Sequence, residues 1–370
     1  MHLIDYINTY EDWEERLSRP PYNLIVKTDG DYKLLKYSQI ESDFSLDEVV
    51  EARGCIVEYD FLHNKWVYVC RPFKKFFNYG EPWAAHIDWS EVKVTEKVDG
   101  SLMKIWHDNK RWRLSTNGTI NAFEASIESA NGTYGGMFEF ILGKSVHEFA
   151  RDCNLYPFCT YLFEMTSPET RIVIPYDYGI TYLTAFYNET GREVKLTPFQ
   201  EEQILGYMDM LDSYAFSSLE EVINAAKSRA GLHEGFVIRD KWGERVKVKT
   251  PAYLEAAHLF MKGNIGKADI LQMMKNGIID DFIGYFPEYI PMVGEIKFDI
   301  SMFCKRVEAC WDLYGAAASR KLFASQVKDL KESDALFRKY SNPNLDIKKY
   351  LWEEIKFGKL VHLLGYDEEK

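Results

Sequence analysis

The chain has few cysteines and no cysteine motif. Its six, Cys55, Cys70, Cys153, Cys159, Cys304 and Cys310, include no C-x-x-C pair, so neither a zinc ribbon nor a thioredoxin-like centre is expected, and the thiols read as reduced and structural. The eight histidines show no H-x-x-x-H spacing, which removes the common helical zinc site. No apolar run approaches the roughly 18 residues that a membrane span needs. The opening MHLIDYINTYEDWEERL lacks the basic start and apolar stretch of a signal peptide, and the expected location is cytoplasmic. No internal repeat or low-complexity segment is visible. A basic surplus is lacking too. Lys and Arg number 45 against 57 Asp and Glu, for a formal charge of −12, which argues against a protein that coats nucleic acid or anionic membrane by bulk attraction. Contact with nucleic acid has to come from local basic patches.

What is present is core-forming material. At 370 residues, 46% apolar and 15% aromatic, the chain can bury a full core, and two domains is the default. Residues 1–250 read as short β-branched and aromatic runs between turn signals, with interspersed helices. NLIVKTDGDYKLLKY predicts a hairpin around Thr28-Asp29-Gly30, and GCIVEYDFLHNKWVYVC another around His63-Asn64. VKVTEKVDGSLMKIWHDNKRWRLST predicts a three-stranded meander with turns at Asp99-Gly100 and Asp108-Asn109. AFEASIESA and MFEFILGKSVHEFARD have helical spacing, while YLFEMT, RIVIPY and ITYLTAFY predict strands. A helix is expected near 217–229, then the strand pair GFVIRD and RVKVKT. After Pro251 apolar residues recur at spacings of three and four, predicting an all-helical second domain over 251–370.

Candidate chemistry begins at Lys97-Val98-Asp99-Gly100-Ser101. A lysine ending a strand before an Asp-Gly turn can enter a pocket while the turn's backbone approaches a ligand closely. Arg53 precedes an apolar strand, and Arg71-Pro72-Phe73-Lys74-Lys75-Phe76-Phe77-Asn78 mixes cations with aromatics. Glu164 sits in an apolar strand, where an ionised carboxylate needs a partner. Glu234 opens Glu-Gly-Phe-Val, and Lys247 and Lys249 stand two apart, on one face of a strand. One lysine, a set of cations and two strand-embedded carboxylates suit a nucleoside triphosphate and a divalent metal. Plainer readings exist: Arg53 and Glu164 as an ordinary buried ion pair, Lys74 and Lys75 as a solvated face, Asp280-Asp281 as a helix N-cap.

Taken in order, KVDGS, FEMTSPETRIV, EGFVI and VKVK resemble the motifs of the covalent nucleotidyltransferases, that is DNA ligases, RNA ligases and mRNA capping enzymes. ARG, RPFKKFFN and NETG narrow the resemblance to the phage ATP-dependent RNA ligases of the RNA ligase 1 class, tRNA-repair enzymes, through most of residues 30–255. The resemblance implies an α+β fold: an adenylyltransferase (nucleotidyltransferase, ATP-grasp-like) domain of antiparallel sheets with flanking helices over 1–250, and a helical domain over 251–370 for RNA or tRNA recognition. It implies that Lys97 attacks the α-phosphate of ATP, carries AMP, passes it to an RNA 5′-phosphate and so permits sealing to a 3′-hydroxyl. Arg53 and Lys75 match contacts to the β- and γ-phosphates, and Lys247 and Lys249 match contacts to the α-phosphate. Asp99 and Gly100 belong to the lysine motif at the nucleotide, and Tyr37 matches a nucleotide-contacting tyrosine. Glu164 matches an acid near the ribose and metal, and Glu234 with Gly235 a motif implied in metal binding and close approach to AMP. Tyr253 and Asp280 match a catalytic tyrosine and a metal-associated aspartate. The implied cofactors are ATP and Mg2+ or Mn2+. The implied partners are RNA ends bearing 5′-phosphate and 3′-hydroxyl, a tRNA anticodon loop among them, and a kinase-phosphatase that prepares such ends. A phage origin, and so a host cytoplasm, goes with the class.

Crowding among Lys247, Lys249, Arg53 and a metal is expected to disfavour the protonated form of Lys97. Asn117 departs from the pattern: many relatives carry a basic residue there, so positive charge is lost at that point. The helical character of 251–370 speaks against capping enzymes and DNA ligases, whose β-barrel at that place gives short alternating strands. Two other functions stay open on the sequence: a nucleotide- or RNA-end-binding protein of the same fold without sealing activity, and a ligase of single-stranded DNA ends, because 2′-hydroxyl recognition leaves no short motif.

Overall fold

Alternation of apolar and polar residues makes strands of the first 250 residues, and turn chemistry decides where they reverse. The computed structural model describes all residues except 128–129, 230–232, 252, 255–264, 277–278, 280–281, 284–286 and 368–370. The chain divides into two units, Met1–Ala257 and His258–Lys370.

The first unit opens with an antiparallel sheet in chain order: β1 (Ile25–Asp29), β2 (Tyr32–Lys36), β3 (Arg53–Asp60) and β4 (Lys65–Cys70). Both expected hairpins form, with Gly30 and Asn64 taking the left-handed backbone that their tight turns require. Helices Leu3–Thr9 and Trp13–Leu17 cover this sheet, burying Leu3, Ile7, Trp13 and Leu17 against Leu35 and Val57.

Twelve more short strands follow in the described residues. They are β5 (Phe77–Asn78), β6 (Val92–Lys97), β7 (Ser101–His107), β8 (Trp112–Thr116), β9 (Ser126–Ile127) and β10 (Gly132–Thr133), then β11 (Cys159–Thr166) and β12 (Gly179–Tyr187). The last four are β13 (Asp209–Met210), β14 (Ser213–Tyr214), β15 (Gly235–Asp240) and β16 (Arg245–Lys249). Two five-stranded sheets result, ordered β13-β12-β11-β7-β8 and β14-β6-β15-β16-β5. They are antiparallel except at the β12·β13 and β16·β5 edges, which are parallel. The first packs Met103, Ile105, Phe163 and Met165 against helices Tyr134–Leu142 and Val146–Asp152. The second packs Val94, Phe236 and Ile238 against helix Leu219–Ser228.

Three expectations are corrected. The predicted meander is split, because β6 and β7 belong to different sheets and Asp99-Gly100 carries the chain between them instead of closing a hairpin. RIVIPY forms no strand, since the amides of Val173 and Ile174 are claimed by the Asp99 carboxylate, each at 3.0 Å. Within AFEASIESA the described residues form turns and β9, whose Ser126 pairs with Thr133 of β10. MFEFILGKSVHEFARD is helical but broken at Gly143, with Ser145 and Glu148 forming a capping box for the second helix.

The described part of the second unit is helical: Lys267–Asn276, Ile290–Tyr314, Arg320–Val327, Ser333–Ser341 and Phe357–Leu364 are its longer helices. The 25-residue helix buries Val293, Ile296, Ile300, Phe303 and Val307, a three-and-four spacing that makes one face the core. No helix among the described residues is long and apolar enough to cross a membrane.

Candidate active site

The β6-β15-β16 ladder sets two lysines on either side of a glycine. Lys97 pairs with Gly235, and Gly235 pairs with Lys249. A side chain at 235 has no room: its Cβ would fall 2.0 Å from the Val248 carbonyl oxygen, at a φ of +142°. The residue before it, Glu234, is 2% exposed and accepts from both lysines, from Lys97 Nζ at 2.7 Å and Lys249 Nζ at 2.9 Å. A carboxylate this buried needs such partners to stay ionised. The structure thus places a carboxylate between Lys97 and Lys249, where the sequence promised cations alone around Lys97. Lys247 lies 5.5 Å from the centre of the Phe76 ring, and the Arg53 guanidinium is also 5.5 Å from that ring.

The neighbouring sheet contributes Glu164, which stands opposite Leu102 of β7 in the β11·β7 ladder and accepts from the Gly100 amide at 3.2 Å. Gly100 is required for this approach, because a Cβ would lie 2.5 Å from the Met165 carbonyl. Loss of hydration pushes the Glu164 carboxyl up to about 7, helped by the charges of Glu234 and Asp99 and opposed by Lys97 and Arg53. Asp99 is 5% exposed. Its second oxygen accepts from Val173 and Ile174, and its first accepts from the Tyr253 hydroxyl at 3.0 Å. Burial raises its pKa, with Glu234 adding to the effect and the two amides opposing it. Asp99 therefore acts as an anchor between segments, and Tyr253 as its buried partner beneath Lys249, whose Nζ is 4.8 Å from the ring centre.

Among the cations expected at the phosphates, Arg53 stacks on Phe73 at 4.5 Å, and its buried Nη1 has no hydrogen-bond partner among the described residues. Lys75 donates to Gln39 at 2.6 Å and sits among the rings of Tyr37, Phe44 and Phe77 at 4.6, 4.6 and 5.1 Å. Tyr37 is 7% exposed, so its ring meets Lys75 directly. The structure thus gathers Lys97, Asp99, Gly100, Glu164, Glu234, Gly235, Lys249 and Tyr253 into one connected set, and gathers Tyr37 with Lys75 in another. Asp280 lies outside the described residues. Gln39 and Lys104 have no motif to announce them, and each is found only through the residue it touches. Among the described residues no group of three or more His, Cys, Asp or Glu is arranged to hold a metal ion.

Residues 51–253 match the RNA ligase family. The chain belongs to that family. The matched segment holds every site residue above except Tyr37, Gln39 and Asp280. The chain is 31% identical over 279 residues to a protein of Autographa californica nuclear polyhedrosis virus described as a putative bifunctional polynucleotide kinase/RNA ligase, a match covering 70% of this chain and 38% of the viral one. It is 23% identical over 432 residues to the RNA ligase of Rhodothermus phage RM378, covering 96% of this chain and 97% of that one. An archaeal ATP-dependent RNA ligase structure aligns with a TM-score of 0.46 at 14% identity, over 79% of this chain and 78% of that one.

Proposed function

We propose that this RNA ligase works through a covalent Lys97–AMP intermediate formed from ATP, and seals RNA 5′-phosphate to 3′-hydroxyl ends. The observation that carries the reading is the Lys97–Glu234–Lys249 arrangement. It keeps one lysine at a strand end with a carboxylate for its proton, and a second lysine to balance that carboxylate. In the first step Lys97 Nζ passes a proton to Glu234 and bonds to the α-phosphorus, while the bond to the bridging oxygen of the β-phosphate breaks and pyrophosphate leaves. Lys247 and Lys249 stabilise the charge that develops on the α-phosphate, and Arg53 and Lys75 hold the departing phosphates. The RNA 5′-phosphate oxygen then displaces Lys97 from AMP, and the 3′-hydroxyl finally displaces AMP.

A divalent metal, Mg2+ or Mn2+, fits this site only with the nucleotide's help. Both Glu234 oxygens are engaged by lysines, and Glu164 accepts one amide, so Glu164 is the carboxylate that would hold the metal. When bound, the metal neutralises phosphate charge. The helical unit, with its basic surplus between residues 301 and 360, suits recognition of the RNA body, and tRNA repair is the natural setting. Breaks that leave a 5′-hydroxyl need a kinase activity before this step, of the kind named in the viral relative.

Incubation with α-labelled ATP and Mg2+ tests the reading. Labelled protein is expected from the wild type and none from Lys97→Ala; full labelling of that variant overturns it. Circularisation of a 5′-phosphorylated oligoribonucleotide, run beside the matched DNA, is expected for RNA. Adduct without circularisation would mark an end-binding protein.

A further inference from the structure

Lys104 has no exposed surface. It sits on β7, opposite Ser115 of β8 and Leu162 of β11. Its ammonium donates to the Gly54 carbonyl, and among the described residues no carboxylate pairs with it. The charges and thiols around it are Arg53, Lys36, Cys55 and Cys70. Burying an ammonium without an acid is unfavourable. A second cation beside it deepens the problem.

Two other groups meet at the same place. A Cβ at residue 54 would fall 2.7 Å from Asn117 Oδ1 and 3.0 Å from Lys104 Nζ, so both side-chain ends converge on one point behind the Arg53-Gly54 backbone. Gly54 bends there with a φ of +72°. The Asn117 Oδ1 and Arg53 Nη1 atoms are both buried and have no hydrogen-bond partner among the described residues. Lys104 has no paired carboxylate among the described residues, and Arg53 keeps an unused buried donor even though the Glu164 carboxyl feels its charge, a combination that suits a negative ligand.

We infer that Lys104 is a positioning residue for the β- and γ-phosphates of ATP, acting through Arg53. It holds the Gly54 carbonyl that fixes where Arg53 enters the site, and it places positive charge where Asn117 offers only an amide. The charge missing from position 117 is thus carried on the adjacent strand. This rests on ATP being the substrate, as proposed above.

Two reactions separate this role from a structural one. Self-adenylation needs the triphosphate, whereas joining an RNA that already bears AMP on its 5′-phosphate bypasses it. Lys104→Met is expected to raise KM for ATP about tenfold or more, and to leave pre-adenylylated joining within about threefold of wild type. Asn117→Asp gives Lys104 a carboxylate at the converging point, so it is expected to keep or raise the melting temperature while raising KM for ATP. The exchange Lys104→Ser with Asn117→Lys moves the ammonium to the bend that follows β8 and is expected to restore most of the loss. Unchanged KM for ATP in Asn117→Asp, or equal losses in both reactions, overturns the inference. If Lys104→Met does not fold, Asn117→Asp and the exchange decide it. Absence of any ATP-derived adduct in the wild type counts against the ligase mechanism and is distinguishable from these outcomes.

Discussion

Glu164 is pulled two ways by pH. Its carboxyl, ordinarily near 4.5, is pushed up to about 7 in the fold, so the native state prefers the neutral acid while the unfolded chain ionises freely. Stability associated with this group is therefore present at low pH and is lost as pH rises from about 4.5 through about 7. Thermal melts across that range are expected to show the decline, and Glu164→Gln is expected to flatten it. If Glu164 acts in its ionised form, as the proposed function has it, single-turnover joining of pre-adenylylated RNA is expected to rise through about pH 7 in the wild type, and to lose that limb in Glu164→Gln. Gly235 is constrained by geometry alone. With a Cβ placed 2.0 Å from the Val248 carbonyl at a φ of +142°, Gly235→Ala is expected to cost about 3 kcal/mol or more in denaturant unfolding, and to abolish the adduct by spreading Lys97 from Lys249.

The crossing at Asp99-Gly100 is the element on which the site depends. It joins two sheets in a few residues, and the Asp99 carboxylate ties the Val173-Ile174 segment and Tyr253 to the end of β6. Asp99→Ala leaves two buried amides without an acceptor and is expected to cost about 2–4 kcal/mol, whereas Asp99→Asn can still accept from the amides and is expected to cost less than half of that; urea unfolding measures both. This crossing shows where sequence reading stops. The strands β6 and β7 are legible from their alternation, and Asp-Gly marks a reversal, but the same dipeptide serves a hairpin or a change of sheet. The deciding contacts come from residues about 74 positions away. RIVIPY likewise has the alternation of a strand, yet its amides go to a side chain. The charged site residues were legible because their chemistry requires charge at fixed spacing from a strand end. Gln39 and Lys104 were not, because a lone polar residue in a strand or loop carries no spacing to read.

At the scale of the molecule, a formal charge of −12 is compatible with a basic cleft that grips one strand end. Of that charge, −11 falls within residues 1–250, the same segment that holds the cationic motifs, so attraction is local and repulsion general. Affinity for long duplex at physiological salt is expected to be weak and not to grow in proportion to length, in gel-shift or anisotropy titrations, while a 5′-phosphorylated single strand competes well. The Lys97–Glu234–Lys249 arrangement has a further effect on this balance. On the proposed mechanism, loading AMP on Lys97 removes a positive charge and adds a phosphate's negative one, shifting the net charge by about two units. Glu234 still faces Lys249 at 2.9 Å, so the loaded protein strands no acid in its interior. Loaded and spent molecules are then expected to differ in electrophoretic mobility, and isoelectric focusing of the native protein can count how much of a population stands ready for an RNA end.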